Sequence, residues 1–208
     1  MTAGADTGLQ ADDAAEWALI RRIGDGDEGA LEVLYRRYYS NLYRFVLRVT
    51  RRPECCEEVI NDVLYIVWQK AADTEPLSRA STWILGIAHK RALKAIERQT
   101  RDSFAVNDSE ALDLATTEDM TDQVSTRSLA EKAFALLSPE QRAVMELVYY
   151  HGLHYQDIAL ALQCPENTVK TRMFHARKRL RILWPALTGE VPGAASGTEI
   201  ADTQEMDA

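Results

Sequence analysis

No run of the chain approaches the roughly 18–20 consecutive apolar residues that cross a bilayer, which leaves no candidate membrane span. The opening "MTAGADTGLQADDAAEW" has neither the basic nor the apolar block of a secretory signal, so the cytoplasm is the expected compartment. Cysteine is scarce: Cys55, Cys56 and Cys164 form no CxxC pair and leave one thiol over if two join, which argues against a disulfide framework and for a reducing environment. Neighbouring cysteines bridge only through a strained backbone, so Cys55 and Cys56 are expected as two buried or half-buried thiols, a redox pair being the alternative. His151, His154 and Cys164 lack a further ligand and fit no common zinc spacing. There is no phosphate-binding glycine loop and no nucleophile–base arrangement. No cofactor and no covalent chemistry are therefore expected.

What the chain does have is charge in blocks. Its 208 residues carry a net charge of −8, yet residues 1–16 hold four acids and no base, and residues 17–101 hold fifteen bases against eleven acids. Residues 102–128 hold seven acids and Arg127, residues 129–187 hold eight bases against five acids, and residues 188–208 hold five acids alone. Two basic blocks are thus flanked and separated by three acidic, weakly apolar segments, and the global charge describes neither block's partner.

Both blocks read as helices. Leu31, Leu34, Tyr38, Leu42, Phe45 and Val49 recur at steps of three and four, one apolar stripe with Arg36, Arg37, Arg44 and Arg48 mostly off it. Pro53 suits a first helical turn, with Glu54, Glu57 and Glu58 near the positive end of the dipole. After Pro76 another helix begins, with Ser81 or Thr82 as its cap and Trp83, Ile87, Ala88, Leu93 and Ile96 as its inner side. "VLYIVW" has strand propensity but sits inside a helical period. In the second block Ser138 and Gln141 form a capping box around Pro139, with Gly152 as the stop. "YQDIALAL", the turn "QCPEN" and the basic "TVKTRMFHARKRLRIL" then make a helix-turn-helix pattern. On the last helix Val169, Met173, Ala176, Leu180 and Leu183 form the seam, so Lys170, Thr171, Phe174, His175, Lys178 and Arg181 face outward. The stretch from Asn167 to Pro185 holds six bases and no acid, more than dipole compensation needs, and suits a DNA major groove.

"LYRRYYSNLYRFVLRVTRRPECCEEVINDVLYIVWQKA" followed by "STWILGIAHKRALKAIERQ" resembles the second conserved region of extracytoplasmic-function (group IV) sigma factors, in the sigma-70 family of bacterial RNA polymerase. "LSPEQRAVMELVYYHGLHYQDIALALQCPENTVKTRMFHARKRL" resembles the fourth. The resemblance implies an all-α chain of two small helical domains, region 2 over 17–101 and a region 4 helix-turn-helix over 128–187. A flexible acidic linker over 102–127 would join them, with an acidic extension over 1–16 and a disordered acidic tail over 188–208.

The resemblance also implies partners and roles. Core RNA polymerase would be held through the clamp helices of its largest subunit and the flap of the second largest. Glu57, Glu58, Asn61, Asp62, Leu64, Trp68 and Gln69 would meet the clamp. The turn of Leu77, Ser78, Arg79, Ala80 and Ser81 would capture a flipped base of the promoter −10 element, with Trp83 in the core or in the pocket wall. His89, Lys90, Arg91 and Lys94 would follow the displaced strand. Thr168, Lys170, Thr171, Arg172, Phe174, His175, Arg177, Lys178 and Arg181 would read the −35 duplex, with His154, Tyr155 and Gln156 near phosphates. The acidic linker would occupy a cationic nucleic-acid path in the polymerase. The tail is not required by the fold; its five acids leave two readings, a disordered end or a shield over the basic helix. An anti-sigma factor is implied as an inhibitor. The rival reading is a dimeric helix-turn-helix regulator that acts without replacing the sigma subunit.

Overall fold

The computed structural model describes residues 3–106 and 132–188. Among them every regular element is a helix. Helix α1 (Ala3–Gly24) turns through Asp25 and Gly26 into α2 (Glu28–Thr50). Gly26 takes φ +90°, a conformation that costs a residue without a side chain little. Asp27 then caps α2 by accepting from the Ala30 amide. The expected stripe is the buried face of α2: Leu34, Tyr38, Leu42, Phe45 and Val49 are buried and Leu31 half-buried.

Arg51, with φ +60°, closes α2 by donating its amide to the Leu47 carbonyl. A single turn at Pro53–Cys55 leads into α3 (Cys56–Lys70), and a second at Ala71–Asp73 precedes α4 (Ala80–Val106). Ile20, Ile23, Leu34, Leu42, Phe45, Ile60, Ile84 and Leu85 form the fully buried centre of this four-helix unit. Each such side chain contributes about 1.5–3 kcal/mol of burial. Cys55 and Cys56 are buried free thiols that both donate to the Arg52 carbonyl, at 3.3 Å each, and burial pushes the Cys56 thiol up to about 12.

The inner face of α4 differs from expectation. Ala88 is buried, but Trp83, Ile87, Leu93 and Ile96 are only half-buried, and the deepest positions are Ile84, Leu85, Ala92 and Ala95. The reason is that α4 is covered on two sides, by the first unit and by the second. Its cap is also not Ser81 or Thr82, which lie inside the first turn; the Ala80 amide is taken by Asp13 of α1 at 2.8 Å. Asp12, Asp13 and Glu16 therefore belong to the folded unit rather than to an extension ending at residue 16. Helix α4 continues through 102–106, past the expected start of the linker. The rest of the linker and residues 189–208 lie outside the described residues.

The second unit begins with a helical turn at 132–135, then α5 (Pro139–Tyr149), α6 (Tyr155–Leu162) and α7 (Glu166–Thr188). Both halves of the Ser138–Gln141 capping box are present, and Gly152 takes φ +61° in the turn after α5. Gln163, at φ +50°, closes α6 and sets up the turn into α7.

The two units are docked, α5 on α2 and α6 on α4. At Gly86 the helices α4 and α6 approach so closely that an added Cβ would stand 2.7 Å from the Ala161 carbonyl oxygen. Arg142 crosses the junction: its guanidinium donates to the Val49 carbonyl at 3.1 and 2.8 Å and to the Leu137 carbonyl at 3.0 Å. Val49 lies in the last turn of α2, where carbonyls have no partner within the helix, so an arginine of one unit caps a helix of the other. Alongside it Arg48 pairs with buried Glu146 at 3.0 Å and lies 3.6 Å over the Tyr150 ring.

Candidate nucleic-acid interface

The outward side of α7 is basic: after Glu166 the helix carries six Lys or Arg and no acid. Val169, Met173 and Ala176 are buried against α5 and α6, with Leu180 and Leu183 half-buried, so the seam follows the expected spacing. That seam holds Lys170, Thr171, Phe174, His175, Arg177, Lys178 and Arg181 exposed on the other side. Lys170 pairs with Glu166 one turn earlier at 3.0 Å, and the Thr171 hydroxyl donates to the Asn167 carbonyl at 2.8 Å. Phe174 is 62% exposed, an aromatic ring in solvent amid cations, and it meets His175 edge-on at 5.5 Å. Thr168 and Arg172 are half-buried at the start of the helix; Arg172 reaches the Cys164 sulfur at 3.8 Å. At the beginning of α6, His154 and Gln156 are exposed and Tyr155 half-buried, on the same unit.

The turn between α3 and α4 makes a second candidate surface. Leu77 is 85% exposed, a large apolar side chain at the tip of a loop. Ser78 and Arg79 are half-buried, and Ala80 is fully buried as α4 begins. Helix α1 holds the turn: the Trp17 indole N–H donates to the Ser78 carbonyl at 3.1 Å, and the Trp17 and Trp83 rings lie 5.9 Å apart. Trp83 is thereby part of the packing between α1 and α4. A cavity of about 260 Å³ opens beside the turn, with Asp13, Asn41, Arg79, Ser81 and His151 in its wall.

Farther along α4, Lys90 and Lys94 are exposed, whereas His89 is only 4% exposed beneath the docked second unit. Its Nδ1 has no hydrogen-bond partner. Burial, then the Arg172 charge, push its imidazole down to about 4. In this arrangement His89 is neutral and covered, unavailable to a nucleic-acid strand.

The third surface is the outer face of α3, where Glu57, Glu58, Asn61 and Gln69 are exposed while Asp62, Leu64 and Trp68 are half-buried. Two of its acids are tied to α4: Glu58 makes a two-pronged pair with Arg98 at 2.8 and 2.9 Å, and Asp62 accepts from Arg91 Nε at 2.9 Å. Arg91 is thus turned toward α3 rather than free. Tyr65 stands outside the sequence candidates, yet it is 61% exposed and its hydroxyl accepts from the Gln69 amide at 2.8 Å. The signal for it is in the spacing, since Asn61, Tyr65 and Gln69 fall at i, i+4 and i+8 on the polar side.

The chain matches the Sigma-70 region 2 model over residues 34–102 and the Sigma-70, region 4 model over residues 127–180. Among curated proteins it is 30% identical over 172 residues to "ECF RNA polymerase sigma factor SigK" of Mycobacterium tuberculosis strain H37Rv, covering 79% of this chain and 90% of that protein. The protein of that name from Mycobacterium sp. strain KMS is 30% identical over 163 residues, covering 74% and 83%. Among solved structures the fold is similar to the sigma factor RpoE bound to the anti-sigma factor NepR from Bartonella quintana. That likeness has a TM-score of 0.59 at 22% identity, over 74% of this chain and 95% of that one. It is similar also to CnrH bound to the cytosolic domain of CnrY, with a TM-score of 0.61 at 18% identity, over 83% and 98%.

Proposed function

The chain belongs to the ECF RNA polymerase sigma factors of the sigma-70 family, and on that premise we propose how its surfaces divide between polymerase and promoter. As an alternative sigma factor it binds core RNA polymerase and directs promoter recognition and transcription initiation. Its region 4 reads the −35 duplex through the exposed side of α7, with Lys170, Arg177, Lys178 and Arg181 on phosphates and purine edges and Thr171 and Phe174 against thymine methyl groups. The turn Leu77–Ser81 takes the flipped −10 base, and Lys90 and Lys94 follow the displaced strand. The outer face of α3, Tyr65 included, meets the clamp helices of the polymerase, and the flap takes region 4.

One observation carries the reading of DNA contact. The second helix of a helix-turn-helix presents a cationic side with a solvated aromatic, which no packing need of the fold explains. The protein performs no covalent chemistry of its own and works in the cytoplasm. His89 joins the strand-binding set only once region 4 has moved off α4, so the docked arrangement is a resting form that opens on the polymerase. An anti-sigma factor is the natural inhibitor, as the partners named for RpoE and CnrH suggest.

The test is reconstitution. Purified chain added to core polymerase is expected to yield promoter-specific transcripts from duplex DNA, and Lys178→Ala with Arg181→Ala is expected to abolish them on promoters that need the −35 element. Binding to a palindromic site without polymerase, and no transcripts with it, would instead support the dimeric regulator.

A further inference from the structure

The beginning of α4 has an unusual dependence on a distant part of the chain. A helix start leaves amide donors unpaired, and a serine, threonine, asparagine or aspartate just before the first turn ordinarily accepts from one of them. Here the Trp83 amide donates to the Arg79 carbonyl, which puts Arg79 at the capping position, and arginine carries donors only. Ser78 does not substitute: its hydroxyl turns to the Arg79 carbonyl at 3.3 Å, and the Ala80 amide goes elsewhere. The acceptor comes instead from Asp13, sixty-seven residues away, on the Ala80 amide. One helical turn after Asp13, Trp17 grips the Ser78 carbonyl and stacks against Trp83.

We propose that α1 is the positioning element of the promoter-reading turn: Asp13 and Trp17 fix the path of Leu77–Ser81 from outside, so that the turn is already shaped when the −10 base arrives. The arrangement leaves Leu77 in solvent and keeps Arg79 and Ser81 in the wall of the cavity beside the turn, where Asp13 is also found. A local cap would require a small polar residue in place of Arg79. Capping from α1 lets a long cation occupy that position instead. This inference rests on the assignment of Leu77–Ser81 to the −10 base.

The experiment measures −10 base discrimination by reconstituted holoenzyme on promoters carrying each of the four bases at each −10 position. Asp13→Ala is expected to reduce discrimination about fivefold, in line with the loss of one helix cap, at the position the turn reads. Discrimination at −35 and affinity for core polymerase should be unchanged. Asp13→Asn is expected to restore it, because asparagine caps as well as aspartate. Trp17→Phe keeps the ring against Trp83 but removes the N–H donor, and is expected to act in the same direction as Asp13→Ala. Thermal melts and core binding report whether each variant is folded.

Normal −10 discrimination in folded Asp13→Ala and Trp17→Phe would overturn the proposal, as would an Asp13→Asn as defective as Asp13→Ala. Arg79→Ala and Leu77→Ala separate the two levels. If they leave −10 discrimination intact, the base-reading assignment itself fails; if they alter it while the α1 variants do not, only the positioning role fails.

Discussion

Replacing Gly86 by alanine sets two physical effects against each other on one residue. Inside a helix, alanine is favoured over glycine by about 0.8–1 kcal/mol, so α4 itself gains. The new methyl, however, would sit 2.7 Å from the carbonyl oxygen and 3.3 Å from the Cα of Ala161, both backbone atoms that no rotamer change can move. Overpacking of this kind costs about 1–3 kcal/mol. The cost falls on the docking of α6 against α4 and not on either unit alone, so the docked population should drop about 5–150-fold relative to the open one. Small-angle scattering of the free chain should show a larger radius of gyration. Amide exchange should speed up along the facing sides of α4 and α6, while helical content holds or rises. Adding Ala161→Gly should not restore docking, since the carbonyl remains. An unchanged radius with unchanged exchange, or a loss of α4 helicity, would refute the reasoning.

Three further outcomes follow from side chains at the junction and on the surfaces. Burial pushes the Glu146 carboxyl up to about 7 despite Arg48, against an ordinary 4.5. Its contribution to the folded, docked form is therefore fully present below pH 4.5 and lost as pH rises towards 7. His89 runs the other way, with its neutral form favoured and stability lost as pH falls from 6.5 towards 4. Thermal melts between pH 4.5 and 7.5 should thus show Glu146→Gln more stable relative to wild type at the alkaline end. Cys56, buried and held protonated, should resist iodoacetamide at pH 8 while half-buried Cys164 reacts, as peptide mapping would report. Lys178→Ala should leave stability within about 0.5 kcal/mol, weaken −35 duplex binding for all sequences alike, and lower the salt slope by about one; a change confined to one base would contradict a phosphate contact.

The elements were legible where one periodic face meets one core. Leu34 to Val49 on α2 and Val169 to Ala176 on α7 are such faces, and spacing alone separates their buried and exposed sides. The Ser138–Gln141 box was legible because capping is written within four residues. The inner face of α4 was not, because the second unit docks on it where Gly86 leaves no side chain to mark the contact, and Ala92 and Gly86 are small for close approach rather than for lack of burial. Asp13 was hidden for a different reason. In sequence it is one of four acids in a weakly apolar opening, and nothing local reveals that its carboxylate accepts from the amide of Ala80. The same holds for His89 and for Arg142, whose surroundings are set by contacts between residues far apart along the chain.

Arg142 has a bearing on how such proteins can be recombined. Promoter preference looks modular, as though one reader could be cut out and another spliced in behind an unchanged first half. Here the guanidinium that closes α2 travels with the second half, so a graft bringing an aliphatic residue to that place would leave the Val49 carbonyl sealed against hydrocarbon with nothing to bind. Hybrids of this chain should inherit a foreign −35 preference cleanly only when the donor brings its own arginine at the seam.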